Sequence, residues 1–485
     1  MIFRQIHDPS LAQYAYLVGC QRTGEALLVD PERDIDRYLE VAAAEGLTIK
    51  HVAETHIHAD FLSGARDLAE RTGAHLYLSA EGDDAGWGSA WASDLEGVTF
   101  LRDGDSFEVG NIEVRAVHSP GHTPEHLAFL VTDHGGGANE PMGLLSGDFV
   151  FVGDLGRPDL LEQAAGQSGA QEPAARQLYE SVQRFLDLED FVQVWPGHGA
   201  GSACGKALGA VPQSTVGYER RFNGSIDAAR RGEEAFVDAI LDGQPEPPLY
   251  FARMKAQNRD GVPPLAALPT PRAVAPDELA ALESRKAGAA NVTVVDTRPD
   301  RSAFMASHLP GSLYAPLGSS FTTVVGSYVT DPETPLVLVV PDGRVDEAVR
   351  SLVRIGLDNV VSTITYETLA AYAQSGGSMA SVLEVGFEDV RDRGDETVVL
   401  DVRRQAEVDA GHVPGSLHIP HTRLAARLDE VPTDRPVLVH CQSGVRAAVA
   451  TALLASRGLE VAYVNDGFPH YREIAPVETG HEVAA

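Results

Sequence analysis

Two groups of residues in this chain have the types and spacing to do chemistry. The first is a set of histidines and aspartates. His56, His58 and Asp60 lie in THIHADF (55–61), His122 and His126 in SPGHTPEH (119–126), Asp148 and Asp154 in LLSGDFVFVGD (144–154), and His198 in WPGHGAGSACG (195–205). A single histidine is more often a satisfied structural residue than a ligand. Imidazoles and carboxylates gathered at four strand-to-loop junctions read instead as a metal site. His56, His122 and Asp148 could cap one face of a single ion, and two imidazoles with one carboxylate suit non-haem Fe(II) and oxygen chemistry. Zinc held by His56, His58 and His122, with Asp148 and water, is the alternative, because imidazole suits both metals.

The second group is PVLVHCQSGVRA (436–447), read as a buried strand running through a loop into a helix. Cys441 falls at the strand's C-terminal end. The backbone amides of Gln442, Ser443, Gly444, Val445 and Arg446, together with the helix N-terminus, would stabilise a thiolate and hold an anionic persulfide. Arg446 adds a full positive charge that could hold thiosulfate or sulfite.

The elements that must position these groups follow from the apolar pattern. YAYLVG, EALLVD, IKHVAETH, HLYLSA, IEVRAVHS, LAFLVTD and MGLLSGD are strand-like runs in the first 225 or so residues, with histidines and aspartates at several ends. HGGGANEP (134–141) is a turn-rich break. Residues 243–272, rich in proline and glycine, read as a linker. Beyond it lies an internal repeat of about 105 residues. VVDTRPDRSAFMASHLPGSLY (294–314) matches VLDVRRQAEVDAGHVPGSLH (399–418), and TPLVLVVPDGRVDEAV (334–349) matches RPVLVHCQSGVRAAVA (435–450). Buried strands followed by helix-like segments in each copy predict parallel-sheet α/β domains. The first copy departs where it matters: Val340 stands opposite Cys441, so that copy cannot carry sulfane sulfur. The expected domains are therefore 1–242, holding the metal, a linker at 243–272, a silent copy at 273–378 and an active copy at 379–485.

A chain of 485 residues with 44% hydrophobic and 22% charged residues is globular and too long for one core. The net charge of −32, with only four lysines, makes nucleic acid and anionic membrane unexpected partners. The charge reads as solubility or a saline habitat, not as evidence about catalysis. No basic start followed by an apolar run opens the chain, and no apolar stretch is long enough to span a bilayer, so a cytoplasmic protein is expected. Three scattered cysteines, Cys20, Cys204 and Cys441, argue for a reducing compartment and not for a disulfide framework. Cys20 reads as a structural residue near a strand end.

The first constellation resembles the metallo-β-lactamase fold family over roughly residues 1–225, an αββα sandwich whose strand-end loops gather the ligands. The dinuclear members read His-x-His-x-Asp-His, and here Phe61 stands where the last histidine belongs. A phenyl ring cannot bind a metal, which points to a mononuclear site. Asp60, His198 and His58 are then expected to support the site without ligating. GDFVFVGDLGRPDLL (147–161) resembles the persulfide dioxygenases fused to rhodanese domains. That resemblance implies Fe(II), one per chain, on His56, His122 and Asp148, with Arg157 facing the substrate. An ordinary surface ion pair is an equal reading of Arg157. Cys204 is expected to line the pocket or to be persulfidated, or else to be a small buried apolar residue. Residues 385–480 resemble a rhodanese, whose active loop is a cysteine followed by four residues and an arginine, and Asp401 and Arg403 match its structural ion pair. The silent copy is then a pseudo-rhodanese. The implied activity is oxidation of a low-molecular-weight thiol persulfide (glutathione, coenzyme A or similar) by O2 to sulfite. It is coupled to sulfur transfer through Cys441 giving thiosulfate, as in sulfide detoxification, in a homo-oligomer. A zinc thioester hydrolase of the glyoxalase II type, and a sulfane-sulfur binding or sensing protein, are the alternatives.

Overall fold

Strands in this chain form where alternate residues can be buried by two different layers. In Gln13–Cys20 every residue is buried: Tyr14, Tyr16, Val18 and Cys20 face one core, while Ala15 and Leu17 face another. That two-sided burial is possible only for a strand covered on both faces. The computed structural model describes residues 1–82, 86–164, 166–279 and 292–480. They divide into two units, Met1–Ala267 with Arg354–Gly356, and Leu268–Val353 with Leu357–Ala485.

The first unit holds two six-stranded sheets. One is β1 (Ile2–Asp8), β2 (Gln13–Cys20), β3 (Glu25–Val29), β4 (Thr48–Ala53), β5 (His75–Ser79) and β6 (Val98–Leu101), in that order. The other contains β7 (Ser106–Val109), β8 (Ile112–His118), β9 (Leu127–Asp133), β10 (Gly143–Gly147), β11 (Gln193–Pro196) and β12 (Ser214–Thr215), again adjacent in sequence order. The core between the sheets contains Tyr16, Leu27 and Val29 from one and Val114, Phe129 and Trp195 from the other. Outside the first sheet, Tyr38 and Leu68 from helices Asp36–Ala44 and Ala65–Thr72 cover Leu17 and Leu28. Outside the second, Leu178, Val182 and Phe185 of helix Gln171–Leu186 and Phe236 of helix Glu233–Leu241 cover Leu130 and Leu144. This is the expected αββα sandwich.

The second unit contains two five-stranded sheets in which every pairing is parallel. One has the order β13 (Arg272–Ala273), β17 (Val360–Ile364), β16 (Leu336–Val339), β14 (Thr293–Asp296), β15 (Leu313–Tyr314). The other repeats it as β18 (Leu383–Val385), β22 (Val461–Val464), β21 (Val437–His440), β19 (Val398–Asp401), β20 (Leu417–His418). The sequence repeat is therefore a repeat of fold. Val340 follows β16 as Cys441 follows β21.

The segment expected to be a linker requires a correction. Within 243–272, residues Tyr250–Asp260 form a helix of the first unit, with Tyr250, Phe251, Met254, Lys255 and Asn258 buried. The prolines and glycines that suggested a linker flank this helix and do not interrupt it. Among the described residues no helix is long and apolar enough to cross a membrane.

Candidate metal centre and cysteine loop

The strand ends bring the candidate ligands together. His56 follows β4, His122 lies in the loop between β8 and β9, Asp148 follows β10 directly, and His198 follows β11. His56, His122 and Asp148 offer ligand atoms within 4.8 Å of one another, all buried. The Asp148 Oδ2 atom is 3.9 Å from His56 Nε2 and 3.6 Å from His122 Nε2. Neither carboxylate oxygen of Asp148, nor either of Asp60, has a hydrogen-bond partner among the described residues. A buried carboxylate without donors costs several kcal/mol if ionised. A cation where these side chains converge would remove that cost, so the donor set fits a metal. Without one, burial pushes the carboxyls of Asp148 and Asp60 up to about 6.

Each of the two candidate histidine ligands is aimed by a neighbour. Thr55 donates its hydroxyl to Asp30 Oδ2 (2.9 Å), so it accepts from His56 Nδ1 at 2.9 Å and leaves His56 Nε2 for the metal. His122 Nδ1 donates to the Arg157 carbonyl at 3.0 Å, with the same effect. Burial, with neighbouring imidazoles for His56 and the Lys255 ammonium for His122, holds both histidines well below the usual imidazole range. His126 is no ligand: its Nε2 accepts from the Asp148 backbone N–H at 3.1 Å and its Nδ1 pairs with Ser119 at 2.8 Å. Asp154 is structural too, accepting from the N–H groups of Leu155 and Ala207 and from Ser225. Among the described residues, the two non-glycine residues with positive φ both serve this site. Asp30 (53°) supports Thr55, and Ala12 (51°) offers its carbonyl to His198 Nδ1 at 3.3 Å.

His58, Asp60 and His198 stand beside this trio. His58 Nε2 is 3.0 Å from Glu54 and 3.2 Å from Asp30. Burial opposes charge on that ring, but Asp30 and Glu54 hold it well above the usual range. His198 Nε2 lies 3.3 Å from Asp60 Oδ2 and 3.5 Å from Asp148 Oδ1. Cys204 joins Asp60 and His198 in a second buried cluster. Burial first, then the Asp148 and Asp60 charges, raise its thiol well above the usual range. Cys20 lies apart, on β2 in the core between the sheets, its Sγ accepting from the Asn111 N–H.

Arg157 is buried and committed. Its Nε and Nη2 donate to both oxygens of Asp159 at 2.8 and 2.6 Å, and Nη1 donates to the Ala203 carbonyl at 3.0 Å. Of its two readings, the ion pair describes the geometry, though the pair is buried and not on the surface. Lys255, on helix Tyr250–Asp260, is a buried cation without a hydrogen-bond partner among the described residues. Its ammonium lies 4.8 Å from the Trp87 ring centroid, and burial lowers it to about 8. After burial, the largest influences on its charge are Glu125, Cys204 and Asp148, all of which favour the charged form. Asn258, one turn on, donates to the carbonyls of His58 (2.8 Å) and Phe61 (2.7 Å) and so ties down the ligand loop. The sequence signal for both residues was the burial pattern of YFARMKAQNRD itself, obscured by the prolines around it.

In the second unit, Cys441 is buried at the end of β21. Gln442 and Ser443 are exposed, Gly444 adopts φ +82°, and helix Val445–Ser456 begins after it. A side chain at Gly444 would be strained in conformation and crowded by Tyr463 and Asn465. Arg446 donates through both Nη atoms to Glu407, at 2.6 and 2.7 Å. Arg403 pairs with Asp401 at 2.6 Å, fully buried, and the silent copy repeats this with Arg298 and Asp296 at 2.8 Å.

Residues 9–198 match the Metallo-beta-lactamase superfamily, and residues 383–473 match the Rhodanese-like domain. A Beta-lactamase hydrolase-like protein of Xylella fastidiosa is 29% identical over 241 residues, 44% of this chain and 50% of the relative. The mitochondrial persulfide dioxygenase ETHE1 of Bos taurus is 28% identical over 227 residues, 46% of this chain and 75% of the relative. The crystal structure of a metallo-beta-lactamase from Staphylococcus aureus subsp. aureus COL superposes with a TM-score of 0.66 at 39% identity, over 75% of this chain and 99% of that one. The chain spans 50–59% of the length of the first curated relatives it matches.

Proposed function

The chain belongs to the metallo-beta-lactamase superfamily and carries a rhodanese-like domain behind it, and from that premise we propose that it is a persulfide dioxygenase joined to a sulfurtransferase. The observation that carries the proposal is the one-metal geometry. His56, His122 and Asp148 converge, His58 is turned to Glu54 and Asp30, and Phe61, which stands where the dinuclear motif has its last histidine, packs against His58. The similarity to persulfide dioxygenase ETHE1 supports it. The overall reaction is a thiol persulfide plus O2 and water giving thiol, sulfite and protons. Non-haem Fe(II) bound by His56, His122 and Asp148 would supply the oxygen activation, as zinc there would supply hydroxide for thioester hydrolysis.

The protein's own residues do the rest. Thr55 and the Arg157 carbonyl fix the tautomers of the two histidines. The buried Lys255 ammonium balances the charge of an anionic substrate. Phe61 and the surrounding apolar residues keep out the water that would favour hydrolysis. In the second unit the Cys441 thiolate attacks the outer sulfur of a persulfide and releases the carrier thiolate. Sulfite then takes that sulfur from Cys441 and leaves as thiosulfate. The reverse transfer, from thiosulfate toward a persulfide, uses the same loop. The zinc reading has one observation in its favour, the unpartnered Nδ1 of His58.

The test is oxygen uptake by the anaerobically Fe(II)-loaded protein on adding glutathione persulfide. Uptake that disappears in His122→Ala is expected. No uptake from fully iron-loaded protein would overturn the reading in favour of zinc-dependent thioester hydrolysis. Cys441→Ser is expected to release sulfite but no thiosulfate.

A further inference from the structure

The silent copy reaches into the active loop of the other. Arg301 opens helix Arg301–Ala306 of the first copy, and its guanidinium carbon would lie 3.4 Å from a Cβ placed on Gly444 of the Cys441 loop. The approach is anchored by polar contacts between the copies. Asn465 donates to Ser302 Oγ at 3.1 Å and Ser302 donates to Glu384 at 3.2 Å across the copies, and within the second copy Asn465 also donates to Glu384 at 2.7 Å and accepts from the Tyr463 hydroxyl at 2.9 Å. The acid next to Arg301 in sequence, Asp300, is used by the helix cap, accepting from the Ala303 N–H. Arg301 has no ion pair or hydrogen bond among the described residues.

The loop's own arginine is differently placed. Both terminal nitrogens of Arg446 are taken by the Glu407 carboxylate, so its charge is largely balanced. Arg301, from the first copy, brings a guanidinium without a hydrogen bond or ion pair among the described residues to this loop.

We propose that Arg301 is a substrate-binding residue of the Cys441 site, gripping the oxygens of a small sulfur oxoanion, thiosulfate as donor or sulfite as acceptor. A guanidinium fork matches two such oxygens, and a charge-assisted pair of this kind binds more tightly than a neutral one. It rests on the reading of Cys441 as sulfur carrier, and it is independent of the metal site. When thiosulfate is donor, the Cys441 thiolate forms a bond to the outer sulfur, the sulfur–sulfur bond of thiosulfate breaks, and sulfite leaves with the electron pair. Arg301 holds the sulfo group through that exchange. The first copy, though it lacks a thiolate, thereby supplies part of the second copy's site.

The experiment uses the full chain and sulfur transfer from thiosulfate to cyanide. Arg301→Gln is expected to raise the KM for thiosulfate roughly tenfold or more, with kcat within about twofold, and Arg301→Lys to recover much of the loss. A second readout compares alkylation of Cys441 by iodoacetate and by iodoacetamide, followed on the Cys441 peptide. The anionic-to-neutral rate ratio is expected to fall several-fold in Arg301→Gln, a change that loosened packing alone would not produce. An unchanged KM together with an unchanged ratio would overturn the proposal. So would a KM that rises for glutathione persulfide but not for thiosulfate, which would assign Arg301 to the carboxylates of the carrier. Transfer that persists in Cys441→Ser would overturn the Cys441 reading and this proposal with it. Transfer lost in Cys441→Ser but unchanged in Arg301→Gln would overturn only the role of Arg301.

Discussion

Phe61 lies against His58, with ring centroids 4.3 Å apart and the planes inclined by 32°. The phenyl ring is fully buried, and Asn258 holds the backbone on both sides of the pair. The residue that stands where the dinuclear motif has its last histidine thus packs against the histidine whose Nε2 faces Glu54 and Asp30.

Phe61→His would add the missing imidazole to Asp60, Asp148 and His198. Metal content, measured after loading with excess zinc and desalting, is expected to rise from about one toward about two per chain. A variant that stays at one would show that the loop, held by Asn258, cannot turn an imidazole inward.

Thr55→Val removes the hydroxyl between Asp30 and His56 without touching a ligand. Metal affinity is expected to fall roughly 10–100-fold, the usual effect of losing a group that orients a ligand. A competition titration with a chromophoric chelator reads this directly.

The metal-free protein should lose stability as pH rises. Asp148 and Asp60 carry carboxyls raised to about 6 in the folded metal-free chain, above their unfolded values. Their contribution is therefore fully present below the unfolded range near pH 4 and is lost as pH rises through about 6. At neutral pH each costs on the order of 3 kcal/mol unless a cation is bound. The Tm gained on metal loading is thus expected to grow between pH 5 and 7, and Asp60→Asn should flatten that growth.

Lys255→Met should separate stability from function. A lysine lowered to about 8 by burial disfavours folding at neutral pH by on the order of 3 kcal/mol, so the variant is expected to melt higher. Its KM for an anionic persulfide is expected to rise about tenfold at unchanged metal content. A variant neither more stable nor weaker in binding would show that Glu125 already balances the charge.

The features that depend on local pattern were legible in the amino-acid sequence. Strand alternation and strand-end histidines specified the sandwich and the loops that gather its histidines and aspartates, because a β-strand turns each side chain to a fixed face and delivers its last residue to a sheet edge. The internal repeat specified two like domains, and Val340 opposite Cys441 marked one of them as silent. Tertiary structure decided what depends on residues distant in sequence. Arg157 carries the right charge, yet Asp159 and the Ala203 carbonyl claim it. Lys255 and Asn258 lie far along the chain from the loop they serve, on a helix framed by prolines. Arg301 belongs to the copy that has Val340 in place of a cysteine and approaches the other copy's Cys441 loop at Gly444. Residue type shows that a charge can act. Only the folded packing shows whether another group has already balanced it.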